Sequence, residues 1–271
     1  MNKVFGYILG FLASIILVLL TVLLVLKISV FNKNYVLKEL ESSNYYEKVY
    51  DEIYEDMKNS LLSSGLDESV VENLYSKSDV KSDIRNFVGS IYSGSKFKVS
   101  TKEIEKKLNR NIDKYLASKN IVLQDKSALS SYVSDIASVY SEEVGLYGYF
   151  QNYSGMFLKI SNIINFVIPF LVMIFVLIFI LDFYKFKTKF LGVSMFASSM
   201  MILYLKYFIW NKIDYNNILI ISESFSGVLR RVLSHINSYL LYFVLGYFVL
   251  GLILILKNSW IKKRRRKRRL S

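Results

Sequence analysis

The chain has 271 residues, 53% of them apolar and 15% aromatic, and a formal net charge of +13. With no cysteine and one histidine, it has no disulfide framework, no thiol chemistry and no histidine-built zinc site; with one proline, it has few places to break a helix, which favours an all-helical chain. The apolar share exceeds the roughly 45–50% of soluble domains, and the excess sits in four long uncharged runs, as in a membrane protein.

The first run, 4–26, is uncharged up to Lys27. A signal peptide has an apolar core of about 7–15 residues and a small-residue cleavage site. This run is longer and Lys27-Ile28-Ser29-Val30-Phe31 offers no such site, so residues 1–30 are expected to form span one, an uncleaved anchor. Gly6, Gly10 and Ser14 recur at four-residue spacing. They put small residues on one helix face, which lets backbones approach closely, either within the chain or between two copies.

Residues 31–158 carry 16 basic and 19 acidic residues and read as a series of amphipathic helices. Tyr46, Val49, Ile53, Met57 and Leu61 recur at three- and four-residue steps, predicting a helix over 44–62 that stops at Gly65. A short helix is expected over 67–75. Val80, Ile84, Phe87, Val88 and Ile91 predict one over 79–92. The next is expected to start at Ser100 or Thr101, with Ser100 and Glu103 at capping-box spacing, and to bury Ile104, Leu108, Ile112 and Tyr115. A last one starts near Asp125 with Leu129, Tyr132, Val133, Ile136 and Tyr140 on one face. Each shows one apolar face, so the helices must pack on each other or on a partner. Thirteen of the 21 tyrosines lie here. They are expected as core and boundary residues, the alternative being an aromatic ligand surface. Residues 145–155 read as the interfacial lead-in to span two.

The second run, 160–181, contains Pro169, which is expected to kink it. Asn162 and Asn165 lie near its outer end, placed to hydrogen-bond another span or to line a vestibule. Span two is taken as 159–182, followed by a short inner loop, 183–189. The third run, 190–210, is interrupted only by Lys206, which can snorkel to the interface. Ser194 and Ser198 give it a small-residue face of its own. Residues 211–235, with Ile218, Ile221, Phe225, Val228, Leu229 and Val232 at helical spacing, are expected to form an amphipathic helix on the outer leaflet or under the larger domain. The fourth span is 236–257, its uncharged run ending at Leu256.

The tail, 258–271, contains Lys262, Lys263, Arg264, Arg265, Arg266, Lys267, Arg268 and Arg269 in unbroken succession. Cations just inside a span fit an anionic-lipid contact, worth about 1 kcal/mol per residue near the surface, a plain orientation signal, or both. Lys3, Lys185, Lys187, Lys189, Lys257 and the eight tail cations, at the inner ends of the uncharged runs, make 13 basic residues against one acid, Asp182. Assigning these ends to the cytoplasm satisfies the positive-inside rule. It leaves 31–158 and 211–235 outside the cell membrane and makes nearly the whole net charge a topology signal, with no specific nucleic acid implied.

No carboxylate falls at mid-membrane depth, where ion-coupled sites need one. The chain also lacks a GxxxxGK[ST] loop and an HExxH pair. Asp51, Glu52, Glu55 and Asp56 read as a solvated helix face rather than a metal site. No catalytic set, cofactor or metal is expected.

Stretches such as Tyr45-Tyr46-Glu47-Lys48-Val49-Tyr50 and Ser64-Gly65-Leu66-Asp67-Glu68-Ser69-Val70 resemble uncharacterised membrane proteins of low-GC Gram-positive bacteria, a resemblance that implies no activity. The order of one span, a large outer domain and three further spans is similar to that of the FtsX and MacB class of ABC-type membrane subunits. Their outer domains are mixed α/β, whereas no strand-rich segment is visible here. The expected fold is therefore all-α, with four transmembrane helices and a helical extracytoplasmic domain between spans one and two. The expected function is non-enzymatic binding of a protein partner or ligand by that domain, as sensor, adaptor or envelope scaffold. The alternative is a membrane subunit of a transport or channel assembly with a separate ATPase.

Overall fold

The computed structural model describes residues 3–121, 126–146, 149–186, 188–212 and 222–270, with the side chains of 3, 126, 149, 151, 185–186, 210–212 and 261–270 outside that description. The described residues are all-α, with nine α-helices, one 3-10 turn and no strand among them. Four helices contain stretches long and apolar enough to cross a membrane, Val4–Ile28, Asn152–Tyr184, Lys189–Ile209 and Glu223–Trp260. By length and composition the chain is a multi-pass membrane protein.

The chain divides into two compact units. The first comprises Met1–Asn32, Ser161–Ile218 and Leu229–Ser271 and holds the apolar helices. Helix α1 (Lys3–Ile28) is their centre: half of its most apolar window is buried inside the protein, against 17%, 28% and 11% for the windows of α7 (Tyr149–Phe186), α8 (Lys189–Lys212) and α9 (Glu223–Leu270). Leu9, Ala13, Ile16 and Leu20 of α1 form one cluster with Ile164, Ile168 and Ile178 of α7. Helix α7 runs through Pro169 as one element, as spans can when neighbours re-satisfy the freed carbonyl. The turn between α7 and α8 places Thr188 at φ 63.

The second unit comprises Lys33–Ile160 and Leu219–Val228. Helix α3 (Tyr45–Ser63) packs on α2 (Lys33–Ser42), α4 (Lys77–Ser93) and α6 (Lys126–Val144), and α5 (Lys102–Ser118) packs on α6. Most of the stripe residues expected from spacing form the core, while Ile91, Tyr115, Leu129 and Tyr132 are half-buried. Ile53, Met57, Leu61, Val80, Leu108 and Ile112 are fully buried, with Val49, Ile84, Phe87, Val133, Ile136 and Tyr140 nearly so. Each such side chain contributes about 1.5–3 kcal/mol relative to leaving it in water.

Three local expectations give way to different structure. The short helix expected over 67–75 is a 3-10 turn, Glu68–Val70. The Asp67 carboxylate accepts from the Ser69 amide at 3.0 Å and Asn73 adopts φ 59, two local features that compete with helix propagation. The capping box expected at Ser100 and Glu103 is not formed, because Thr101 is the N-cap of α5 and donates its hydroxyl to Glu105 at 2.6 Å. A capping box forms instead at α4, where Ser76 Oγ accepts from the Asp79 amide and Asp79 accepts from the Ser76 amide. Helix α2, with no clear stripe in the sequence, is ended by Asn44 in the left-handed region at φ 54. The amphipathic segment expected over 211–235 is continuous with the fourth span from Glu223 onward, while Asp125, Ile218 and Ile221 lie outside the described residues.

Candidate functional sites

The small residues of α1 and α8 meet. Ser194 Oγ shares its proton between the carbonyls of Phe190, one turn back, and Gly10 of α1, both at 2.7 Å. Ser198 Oγ does the same with Ser194 O at 2.7 Å and Ser14 O at 3.1 Å. Gly6 makes room for the Phe190 ring, which a Cβ there would overlap. Tyr7 meets that ring edge-on at 5.0 Å and the Lys189 ammonium lies 4.9 Å above it. Helices α8 and α9 bring their backbones together. A Cβ on Gly251 would stand 2.9 Å from the Phe196 nitrogen and 3.0 Å from the Gly192 carbonyl. Deeper in α1, Thr21 Oγ1 donates to Leu17 O at 2.8 Å and lies 3.0 Å from the Tyr247 hydroxyl of α9. These polar side chains hold helices together, as hydroxyls do where water is absent.

Asp182, visible in the sequence only as an acid at the membrane edge, is 2% exposed and accepts from the amides of Leu191 at 2.9 Å and Phe190 at 3.4 Å. It caps the otherwise unpaired N-terminal amides of α8. Its eight- and nine-residue separation from them matches no capping motif. Asn162 and Asn165 are both exposed on α7. The backbone of α9 stays helical through the basic run to Leu270, and the side chains of Lys262, Lys263, Arg264, Arg265, Arg266, Lys267, Arg268 and Arg269 lie outside the described residues.

No protein-family model matches the chain, and neither a characterised protein nor a solved structure does. What the chain can do therefore rests on its own side chains.

In the second unit Tyr45, Tyr46, Tyr75 and Tyr140 are core residues, while Tyr35, Tyr50, Tyr54, Tyr92, Tyr115 and Tyr132 are half-buried at its boundary. Tyr75 packs between Tyr50 and Tyr140, with centroids at 5.3 and 5.1 Å, and Tyr140 donates to Asp83 at 2.9 Å. Burial pushes the hydroxyls of Tyr45, Tyr75, Tyr92 and Tyr140 well above the usual phenol value; for Tyr140 the hydrogen bond to Asp83 adds to it. Of the four carboxylates expected on a solvated face, Glu52 has another role. Its oxygens accept from Ser224 Oγ at 2.7 Å and the Ser224 amide at 3.3 Å, at the first turn of α9. Among the described residues no group of three or more His, Cys, Asp or Glu could hold a metal ion.

Two clefts on this unit are lined by described residues. One, of about 300 Å³, lies between the α2–α3 corner and the first turns of α4. Lys81 reaches Glu41 at 2.6 Å and sits 5.4 Å above Tyr46, and Lys77 lies 3.6 Å from Glu47. Exposed pairs of this kind contribute about 0–1 kcal/mol each, so the cleft's lining can rearrange at little cost. The other, of about 440 Å³, is formed by α4, the segment after it and α6.

Proposed function

We propose that the chain is a non-enzymatic membrane docking protein of the cell membrane, whose outer helical domain binds a protein partner as an adaptor, sensor or envelope scaffold. The observation that carries the reading is the second compact unit, with an apolar core of its own and a near-balanced charge, joined to a set of spans in which several polar side chains are engaged in packing. Ser194, Ser198 and Thr21 bond to helix carbonyls and Asp182 caps a helix. A solute path needs polar groups at successive depths, because an unsatisfied polar group in hydrocarbon costs several kcal/mol. Ser194, Ser198 and Thr21 instead hold helices to one another, and the exposed Asn162 and Asn165 lie only three residues apart on α7.

In this reading both termini are cytoplasmic and residues 31–158 and 211–235 face outward, because 13 of the basic residues and one acid flank the inner ends of the uncharged runs. The eight consecutive tail cations then meet the anionic inner leaflet. The test is reconstitution of the purified chain alone in liposomes, together with photo-crosslinking in native membranes from Glu55 and Lys106, both exposed on the outer unit. Absence of saturable solute or ion flux, with a discrete crosslinked partner from these positions, is expected. Saturable flux from the chain alone would overturn the reading in favour of transport.

A further inference from the structure

Helix α4 ends at Gly94, whose φ of 71 suits glycine, and Leu158 Cδ1 occupies the space that a Cβ on it would need. The end of α4, from which the segment 95–100 leads off, thus lies against the stretch of α7 that precedes the span, where Tyr92 also meets Phe157 edge-on at 5.0 Å. Leu158 stands two residues before Ile160, where the uncharged run begins. The segment therefore adjoins the point at which the chain passes from polar domain into hydrocarbon. Burial alternates along it. Val99 is buried and Phe97 half-buried, while Lys96 and Lys98 are exposed. Phe97 and Val99 line the cleft of about 440 Å³ together with Phe87, Ser141 and Gly145, and both lysines stand at its edge. Among the described residues neither ammonium has a carboxylate within ion-pair distance, in contrast to Lys58, Lys77 and Lys81. Among those residues the lining also contains no acid.

We propose that this cleft binds one anionic phospholipid, its phosphate between Lys96 and Lys98 and its glycerol and upper acyl portion against Phe87, Phe97 and Val99. Two cations with no carboxylate in ion-pair range select a phosphate anion, the apolar floor selects one that carries a tail, and the adjoining entry into the membrane supplies it. A soluble phosphate ester shares the charge and lacks the tail. The site is separate from the basic tail and does not depend on a protein partner.

The cysteine-free chain allows a local probe. The full-length protein with Ser95→Cys, an exposed position beside Lys96, is labelled with bimane in neutral detergent. It is titrated with dihexanoyl phosphatidylglycerol, dihexanoyl phosphatidylcholine and sn-glycerol 3-phosphate. The phosphatidylglycerol midpoint is expected at least roughly tenfold below that of phosphatidylcholine. Lys96→Gln with Lys98→Gln should remove that preference, and Lys96→Arg with Lys98→Arg should keep it. All these side chains are exposed, so circular dichroism should be unchanged. Equal midpoints for the two lipids, a preference that survives the double Gln change, or glycerol phosphate acting as strongly as the lipid would each overturn the proposal.

Discussion

The link between Glu52 and Ser224 joins positions 172 residues apart and ties the first turn of α9 to α3. Glu52→Ala removes an ionised acceptor from one hydroxyl and one amide, and takes a negative charge from a helix N-terminus. Hydrogen bonds to charged groups contribute about 1.5–3 kcal/mol. Glu52 is half-buried, so the lower end applies, with a few tenths more from the helix dipole. About 1.5–2 kcal/mol corresponds to a roughly ten- to thirty-fold rise in local opening. The assay is hydrogen–deuterium exchange of the full-length protein in nanodiscs, read at the Ser226 amide, which donates to Ser222 O at 3.0 Å. That amide should exchange about ten- to thirty-fold faster in the variant, and amides around Leu108 in α5 should not change. Ser224→Ala should give a smaller effect, because the amide bond to Glu52 remains, and it should add little on top of Glu52→Ala. Unchanged exchange at Ser226 in Glu52→Ala would show that the carboxylate does not hold the turn, and the reasoning would fail.

Three further outcomes follow from the geometry. Gly251→Ala should lower the thermal midpoint of the detergent-solubilised protein, because its Cβ meets backbone atoms at 2.9 and 3.0 Å, whereas Gly246→Ala on the same helix, with nothing within 4 Å, should be neutral or slightly stabilising; equal shifts would remove the close-approach argument. Raised tyrosine values mean that folding keeps Tyr45, Tyr75, Tyr92 and Tyr140 protonated where the unfolded chain loses its protons, near pH 10. The stabilisation is complete below that pH and is lost as pH rises above it. Helix loss should accompany phenolate absorbance from these residues, and complete titration near pH 10 with helicity intact would contradict it. Single cysteines at Ser118 and Glu223, both exposed, should react with an impermeant thiol reagent in intact cells, and one at Ser271 only after permeabilisation; labelling of Ser271 in intact cells would reverse the proposed orientation.

The span positions were legible because an uncharged run of about 20 residues matches the thickness of hydrocarbon and is too long for a buried core helix, and every expected run falls inside one observed helix. The outer helices were legible where an apolar stripe recurred. Tyr46, Val49, Ile53, Met57 and Leu61 are all buried. Extents were less so. Helix α7 begins at Tyr149 and α9 at Glu223, because a helix continues past its apolar run where no proline stands, and the single glycines Gly155 and Gly227 cost only about 1 kcal/mol each relative to alanine. Capping-box spacing points to the wrong serine, since Ser100 and Glu103 have it but Thr101 takes the cap. The roles of Glu52 and Asp182 were not legible at all. Each caps a helix that begins elsewhere in the chain, and a carboxylate's partner across a fold leaves no local pattern.

The seam between α1 and α8 also sets a timetable for assembly. Gly10 and the serine that bonds its carbonyl are 184 residues apart, so at about 5–20 residues per second of synthesis α1 sits in the bilayer for roughly 10–40 s before α8 exists. Its glycine face is open throughout that interval. Any other helix with a small-residue face, including a nascent neighbour's α1, competes for it before the chain's own partner arrives, and the lifetime of such early pairs decides how many copies mature.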